Sequence, residues 1–396
     1  MKRIRTIALF YFYILSLCAV SAQQPFALGA DVSWCTEMEA SGKKFYNANG
    51  QQTELMALMK QIGMNAIRLR VWVNPENAYG PWSDKADVLA KARRAHAQGL
   101  SLMIDFHYSD FFADPGTQTK PAAWGSYTMT QLKQAVADHT KDVLQALKDE
   151  GIEPAWVQVG NETRLGMIWD SGKIDWDSST PWTGYVALSN AGYDAVKAVL
   201  PNAKVIVHID KGPENNNWFY RQFKAAGGKF DMIGLSHYPE KSTYPTENTA
   251  TANNIKLLGN EFGVPVMVVE TGFYIEDETL AETVMADFFS KTKDLTQCAG
   301  IFYWEPEVYN WWKPSYYTTI GWNAYNKGAF KSNGRPAKTL NPFLDAALTT
   351  ITTPSTTPDP SPVTRIYNLQ GQLLPAPTHG IIIEKTAHTA RKVMTK

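Results

Sequence analysis

Two glutamates close two short apolar runs. PAWVQVGNE (154–162) ends in Gly160, Asn161 and Glu162, and PVMVVET (265–271) carries Glu270 as its penultimate residue. A run of this shape fits a strand that delivers a reactive group at its end. Two carboxyl groups brought from separate strands suit glycoside hydrolysis, in which one donates a proton and the other serves as nucleophile or base. The two need unlike surroundings. Burial and a nearby negative charge keep the donor protonated, whereas an arginine and hydroxyl donors keep its counterpart ionised. Arg68 and Arg70 in NAIRLRVWV (65–73) share one parity along a strand and cannot face apolar packing unpaired. Both, with Tyr238, are candidates to orient Glu270. Asn161 is suited to bind a sugar 2-hydroxyl, Asp31 near the end of PFALGADVSW (25–34) is a candidate groove residue, and Trp304 offers a floor for a sugar ring. Each alone reads equally well as an ordinary buried residue; their joint arrival at strand ends carries the inference.

Strand ends converge only if the strands close on one another. Eight candidates begin near residues 27, 66, 100, 154, 203, 231, 265 and 300, and most are followed by one helical segment. That is the (β/α)8 pattern of a TIM barrel. The plainest helix is 128–150, with Leu132, Val136, Val143, Leu144 and Leu147 as its apolar stripe and Gly151 behind it. Other helices are expected over 55–62, 84–98, 183–200, 217–226, 251–262 and 280–289. The region after residue 306 is aromatic and irregular, and is the weakest part of the count. A doubly wound open sheet is the rival, but no Gly-rich phosphate loop follows the first strand. The long segments 109–124 and 166–182 are expected to shape a groove at the barrel mouth.

Composition narrows the partners. Lys+Arg and Asp+Glu balance at 38 each, which gives no nucleic-acid footprint. Thirteen Trp, 18 Tyr and 17 Phe fit either extra core aromatics or a groove lined with sugar-stacking rings. Residues 1–22 carry Lys2, Arg3 and Arg5, an apolar run and a Val-Ser-Ala exit, the pattern of a cleaved secretory signal. Leu17 before Cys18 does not fit a lipoprotein processing site. Cys35 and Cys298 then remain, to form one bridge or stay as two buried thiols. No later run is long enough for a transmembrane span. Residues 23–348 make the barrel domain, the Thr/Pro-rich stretch 349–363 a linker, and 364–396 a small β-type tail.

GADVSW (29–34), RLRVWVNP (68–75), DFHYSDFFADPG (105–116), VQVGNE (157–162), SHYP (236–239), VVET (268–271) and YWEP (303–306) together resemble glycoside hydrolase family 53, the arabinogalactan endo-β-1,4-galactanases. The resemblance implies a retaining (β/α)8 enzyme with Glu162 as acid/base and Glu270 as nucleophile. It adds Trp72, His107 and His237 to Asp31, Arg68, Arg70, Asn161, Tyr238 and Trp304 as substrate-binding or orienting residues. It also implies hydrolysis of internal bonds of β-1,4-galactan, with no cofactor required. Two departures stand out. Arg164 follows the acid/base glutamate closely, and TGFYIEDETL (271–280) leaves little room for a calcium-bearing loop, so Glu276, Asp277 and Glu278 are expected to start a helix instead. A structural calcium and any other metal are therefore not predicted. The tail resembles the C-terminal sorting domain of the type IX secretion route through Tyr367, Leu369, Gly371, Gly380, Ile381, Ile383, Lys392, Val393 and Lys396. That implies the type IX secretion machinery as a partner and a secreted or outer-surface location. A monomer is the default for an enzyme that admits a polymer. The competing functions are a carbohydrate-binding surface protein without turnover and a retaining β-1,4-glycanase acting on mannan or xylan.

Overall fold

The computed structural model describes residues 25–75, 79–175, 181–350, 365–368, 372–374, 380–385 and 390–395. Residues 1–22 and almost all of the expected linker lie outside them. Eight parallel strands form a closed barrel: β1 (Ala27–Asp31), β2 (Ala66–Val71), β3 (Ser101–Phe106), β4 (Trp156–Val159), β5 (Lys204–Ile209), β6 (Met232–His237), β7 (Val266–Thr271) and β8 (Cys298–Trp304). Each pairs with the next, and β8 closes on β1 with Asp31 opposite Trp304. The expected (β/α)8 class is thus the observed one.

Among the described residues one helix of the outer ring follows each strand: α1 (Leu55–Gln61), α2 (Lys85–Ala97), α3 (Met129–Asp149), α4 (Thr183–Val199), α5 (Asn217–Ala225), α6 (Tyr244–Phe262), α7 (Glu278–Thr292) and α8 (Asn341–Thr350), with short extra helices at Cys35–Ala40 and Ser315–Thr319 in the connections after β1 and β8. Their starts have local causes. Asp84 accepts from the Asp87 N–H ahead of α2, and Thr128 and Gln131 form a reciprocal capping box on α3. The apolar stripe of α3 is buried along its length. Helix α6 begins seven residues before the expected Thr251. Pro245 reads as a breaker, but it stands in the first turn, where its missing N–H costs nothing. Helix α8 supplies the last wall that sequence periodicity leaves undefined. Its Phe343 meets Phe289 of α7 at 4.8 Å and Tyr303 of β8 at 6.3 Å between ring centroids. On its other side it lies against Gly63, just past α1, where a Cβ would stand 2.8 Å from the Leu344 Cα. This helix also takes up the first two residues assigned to the linker.

Alternation along the strands divides the barrel interior into two levels. At the bottom Ala27, Ala66, Met103, Trp156, Ile206, Met232, Met267, Val269 and Phe302 form a separate buried apolar cluster. Two residues further along β2, β3, β4 and β5, and four further along β1 and β6, the inward position turns polar: Asp31, Arg68, Asp105, Gln158, His208 and Ser236 are all buried. Strand β7 reaches this level differently. Leu235 and Ser236 are consecutive on β6, yet their partners on β7 are Val268 and Glu270, so β7 carries one extra residue. The same irregularity recurs against β8. Such a bulge shifts the side-chain parity, so Val269 joins the apolar plug and Glu270 still faces the mouth.

The tail residues form a separate antiparallel sheet in the order Leu373–Leu374, Arg365–Tyr367, Gly380–Lys385, Ala390–Thr395. Of the sorting-signature positions, Leu369, Gly371 and Lys396 lie outside the described residues. Cys35 and Cys298 are both buried and free, which decides between the two cysteine readings in favour of separate thiols. Among the described residues no helix is long and apolar enough to cross a membrane.

Candidate active site

The polar level of the barrel is organised by Arg68. Its guanidinium is fully buried and bonds Asp31 Oδ2 at 2.6 Å, Asp105 Oδ2 at 2.7 Å, Asn161 Oδ1 at 2.9 Å and Glu270 Oε1 at 2.9 Å. Three carboxylates around one cation are tolerable because each turns one oxygen to the guanidinium in a charge-assisted bond. Tyr238 donates to the other oxygen of Glu270 at 3.0 Å. His107 contributes indirectly. Its Nδ1 accepts from the Ala113 N–H at 2.8 Å, so the ring proton sits on Nε2 and is donated to Asp105 Oδ2 at 3.0 Å.

Glu162 reaches the same cleft from β4 by a different route. The strand stops at Val159, Gly160 takes φ +86°, and Glu162 itself adopts φ +47°, a left-handed conformation that costs a non-glycine residue about 1–2 kcal/mol. Tyr108 after β3, Lys211 after β5 and Glu305 after β8 share positive φ values, so strained backbone gathers at the C-terminal mouth. Glu162 is half-buried, and Ser236 donates to its Oε1 at 2.6 Å. Behind Ser236 stands His208, with Nε2 at 2.9 Å from the serine oxygen.

The two carboxyl groups hold protons unequally. Burial and then the neighbouring Glu270 push Glu162 well above the ordinary carboxylic range, and only Ser236 opposes them appreciably. Burial also pushes Glu270 up, to about 7, but the Arg68 cation favours its charged form against Asp105 and Asp31, and Tyr238 helps. Glu162 therefore keeps its proton when the pair carries one. The cleft between them encloses about 330 Å³ and is walled by Phe112, Trp304, Tyr317, Trp322 and Tyr325, with Asp114 and Lys327 at its rim. An unlike carboxyl pair facing a cavity with aromatic walls is the division of labour that glycoside hydrolysis uses.

Several candidates stand elsewhere. Arg70 does not reach Glu270. It pairs with Glu305 and lies over the rings of Trp34, Trp72 and Phe112 at 5.1, 5.3 and 4.8 Å. The β2 alternation aims both arginines inward, but Arg70 is two residues higher and meets the acid at the end of β8. Trp72 is completely buried beneath that cation and touches Phe111 and Phe112, so it cannot bind sugar. His237 follows inward-facing Ser236 and points outward. There its Nε2–H donates to Asn248 Oδ1 and its Nδ1 accepts from Thr251 against the ring of Phe288, and burial lowers its pKa to about 4. Asp31 is fully buried and works through Arg68 rather than in the groove. Asn161 is largely enclosed: Arg68 occupies its oxygen and its amide donates to Ala113 O. His107 and Trp304 do line the cleft. Arg164 is tied to Asp210 at 2.7 Å. Asp277 accepts from the Thr279 and Leu280 N–H groups and caps α7, as the acidic run suggested. Among the described residues no group of three or more metal-ligating side chains converges. Sequence reasoning missed Asp105, Gln158, His208 and Ser236. Strand parity holds the signal, since each shares the inward position at the level of Arg68.

Fold and site together define a glycoside hydrolase. Residues 27–285 match the profile of glycosyl hydrolase family 53. An arabinogalactan endo-β-1,4-galactanase from Thermothelomyces thermophilus is 30% identical over 344 residues, covering 80% of this chain and 98% of its own. One from Cellvibrio japonicus is 35% identical, covering 64% and 67%. The family 53 catalytic domain of Ignisphaera aggregans superposes with a TM-score of 0.69 at 29% identity, covering 80% of this chain and 95% of that one. The chain belongs to glycoside hydrolase family 53.

Proposed function

We propose that this protein is an endo-β-1,4-galactanase that cleaves internal bonds of type I arabinogalactan and pectic galactan with retention of configuration. The observation that carries the reading is the unlike pair in one aromatic cleft, Glu270 held by Arg68 and Tyr238 and Glu162 held by Ser236. The galactan assignment is supported by the relatives of that name and the motifs shared with them. Glu270 attacks the anomeric carbon as a carboxylate while Glu162 gives its proton to the departing 4-oxygen. Glu162, now a carboxylate, then takes a proton from water as the water displaces Glu270 and the glycosyl–enzyme bond breaks. Trp304 and its aromatic neighbours provide the faces on which galactosyl rings stack.

The signal-like residues 1–22 and the sorting signature in 364–396 support export and type IX routing to the surface or the medium, and the enzyme acts as a monomer. Incubation with galactan, mannan and xylan tests the substrate: reducing ends should appear from galactan, and their absence overturns the reading. Proton NMR of the first products should show the β-anomer; an initial α-anomer overturns retention. Fractionation of cells carrying a chain that lacks residues 364–396 tests the routing, with loss of surface and medium activity expected.

A further inference from the structure

Arg68 touches Glu270 directly, but a chain of side chains also runs from it to Glu162, and the direction of every hydrogen bond in that chain can be assigned. A guanidinium only donates. The groups that face Arg68 Nη2 must therefore be oxygens: Asn161 Oδ1 at 2.9 Å and Gln158 Oε1 at 3.3 Å. The Asn161 amide nitrogen then points to Ala113 O at 2.8 Å, which suits a donor. The Gln158 amide nitrogen points to His208 Nδ1 at 2.9 Å, and the Glu162 backbone N–H approaches the same atom at 3.3 Å. Asn161 Oδ1 also lies 3.0 Å from Nδ1, but it already accepts from Arg68 and from the Gln158 amide at 3.1 Å, so the two donors aimed at Nδ1 make it the acceptor of the ring and the ring proton lies on Nε2. Nε2 faces Ser236 Oγ at 2.9 Å and donates to it. The serine oxygen has accepted, so its own proton is free for Glu162 Oε1 at 2.6 Å. The reverse tautomer would set the Gln158 N–H against a histidine N–H.

We infer that Gln158, His208 and Ser236 are positioning residues that fix Glu162 Oε1 as a permanent acceptor, so that the transferable proton is carried on Oε2. The inference rests on Glu162 being the acid/base. The relay stabilises the Glu162 carboxylate after proton transfer. His208 suits the task because it stays neutral: burial and then Arg68 hold its pKa well below the ordinary value, with Asp105 opposing and His107 assisting. Glu270, Asp210 and Asp114 are the charged groups that face Glu162 from the other elements, and all three disfavour its anion. Ser236 is the group that offsets them. Arg68 thus sets both carboxyl groups of the pair, one by charge and one by relayed polarity.

Ser236→Ala removes the donor and leaves the charges in place. The alkaline limb of the kcat profile on galactan should move up by about one pH unit, the shift expected for losing one hydrogen bond to a charged group. Turnover should fall about tenfold with KM within twofold, and an aryl galactoside whose leaving group needs no proton should be far less affected. Ser236→Thr, which keeps the hydroxyl, should restore the limb. An unmoved limb in a folded Ser236→Ala protein overturns the relay, as does equal loss on both substrates. Nitrogen-15 NMR of His208 gives a readout independent of turnover. A protonated Nε2 and bare Nδ1 from pH 5 to 9 is expected, and the opposite tautomer refutes the assignment. Failure of the wild-type protein to cleave galactan would defeat the proposed function and leave the tautomer measurement standing.

Discussion

At the residue scale, the unequal proton affinities of Glu162 and Glu270 make a kinetic signature. Turnover needs Glu270 ionised and Glu162 protonated, so the rate should rise with pH through one titration and fall through a higher one. The two values belong to the coupled pair. Glu162→Gln should flatten the alkaline limb and reduce turnover on galactan by about 10²–10⁴-fold; an alkaline limb that persists would assign it to another group. Arg68 carries a larger structural burden. Arg68→Met leaves Asp31, Asp105 and Glu270 with no shared cation in a dry interior, which should cost about 3–5 kcal/mol near neutral pH. The sign with pH follows: the variant's native state takes up protons more readily than its unfolded chain, so the deficit should shrink on acidification. Urea unfolding at pH 5 and pH 8 measures it, and equal deficits at both would show that Arg68 contributes packing rather than charge.

At the element scale, close approach across the barrel floor decides which substitutions the fold accepts. Gly29 of β1 faces Phe302 of β8, and a Cβ there would sit 2.2 Å from the ring. Gly29→Ala should therefore cost about 1–3 kcal/mol by overpacking, and Phe302→Leu in the same chain should recover part of it. Thermal unfolding of the two variants checks this; an unchanged midpoint for Gly29→Ala would mean that the floor has slack. The element boundaries also explain what sequence could and could not reveal. The strands were legible because each is a short apolar run bounded by turn residues, and α3 because its stripe and caps agree. Helix α8 was not, since its first residues follow a long aromatic loop and its partners on α7 and β8 are remote in sequence. Glu162 and Glu270 stood out as acids at the ends of apolar runs. The bulge that aims Glu270 inward left no such mark, because an extra residue shows only against the register of two neighbouring strands. Trp72 and His237 misled for a related reason: a motif names residue types, whereas the face each side chain takes depends on where its strand ends.

At the scale of the whole molecule, a second buried acidic group sits apart from the cleft and sets how stability responds to pH. Glu37, Glu305 and Glu307 are enclosed around Arg70. Burial is the leading cause for each, raising Glu37 to about 8 despite Arg70 and Lys91, and raising Glu307 well above the ordinary range with Glu305 adding to it. An acid with a raised pKa in the folded state binds more protons there than in the unfolded chain. Its contribution is complete below the unfolded value and is lost as pH rises through the folded one. Asp105 acts in the opposite sense: burial opposes its ionisation, but Arg68 and His107 hold its pKa below the usual value, so its contribution fails as pH falls through that lowered value. The two trends together place maximal stability in mildly acidic solution, with a steady decline from about pH 6 to pH 9. Glu37→Gln keeps the size of the side chain and removes one titration, so it should flatten that decline and raise the unfolding midpoint most at pH 9. Differential scanning calorimetry across this range is the measurement. A midpoint that climbs toward pH 9 in the parent chain, or an unchanged slope in the variant, would mean that Glu37 and its neighbours are ionised in the folded protein and that Arg70 neutralises more of their charge than its ion pair to Glu305 indicates.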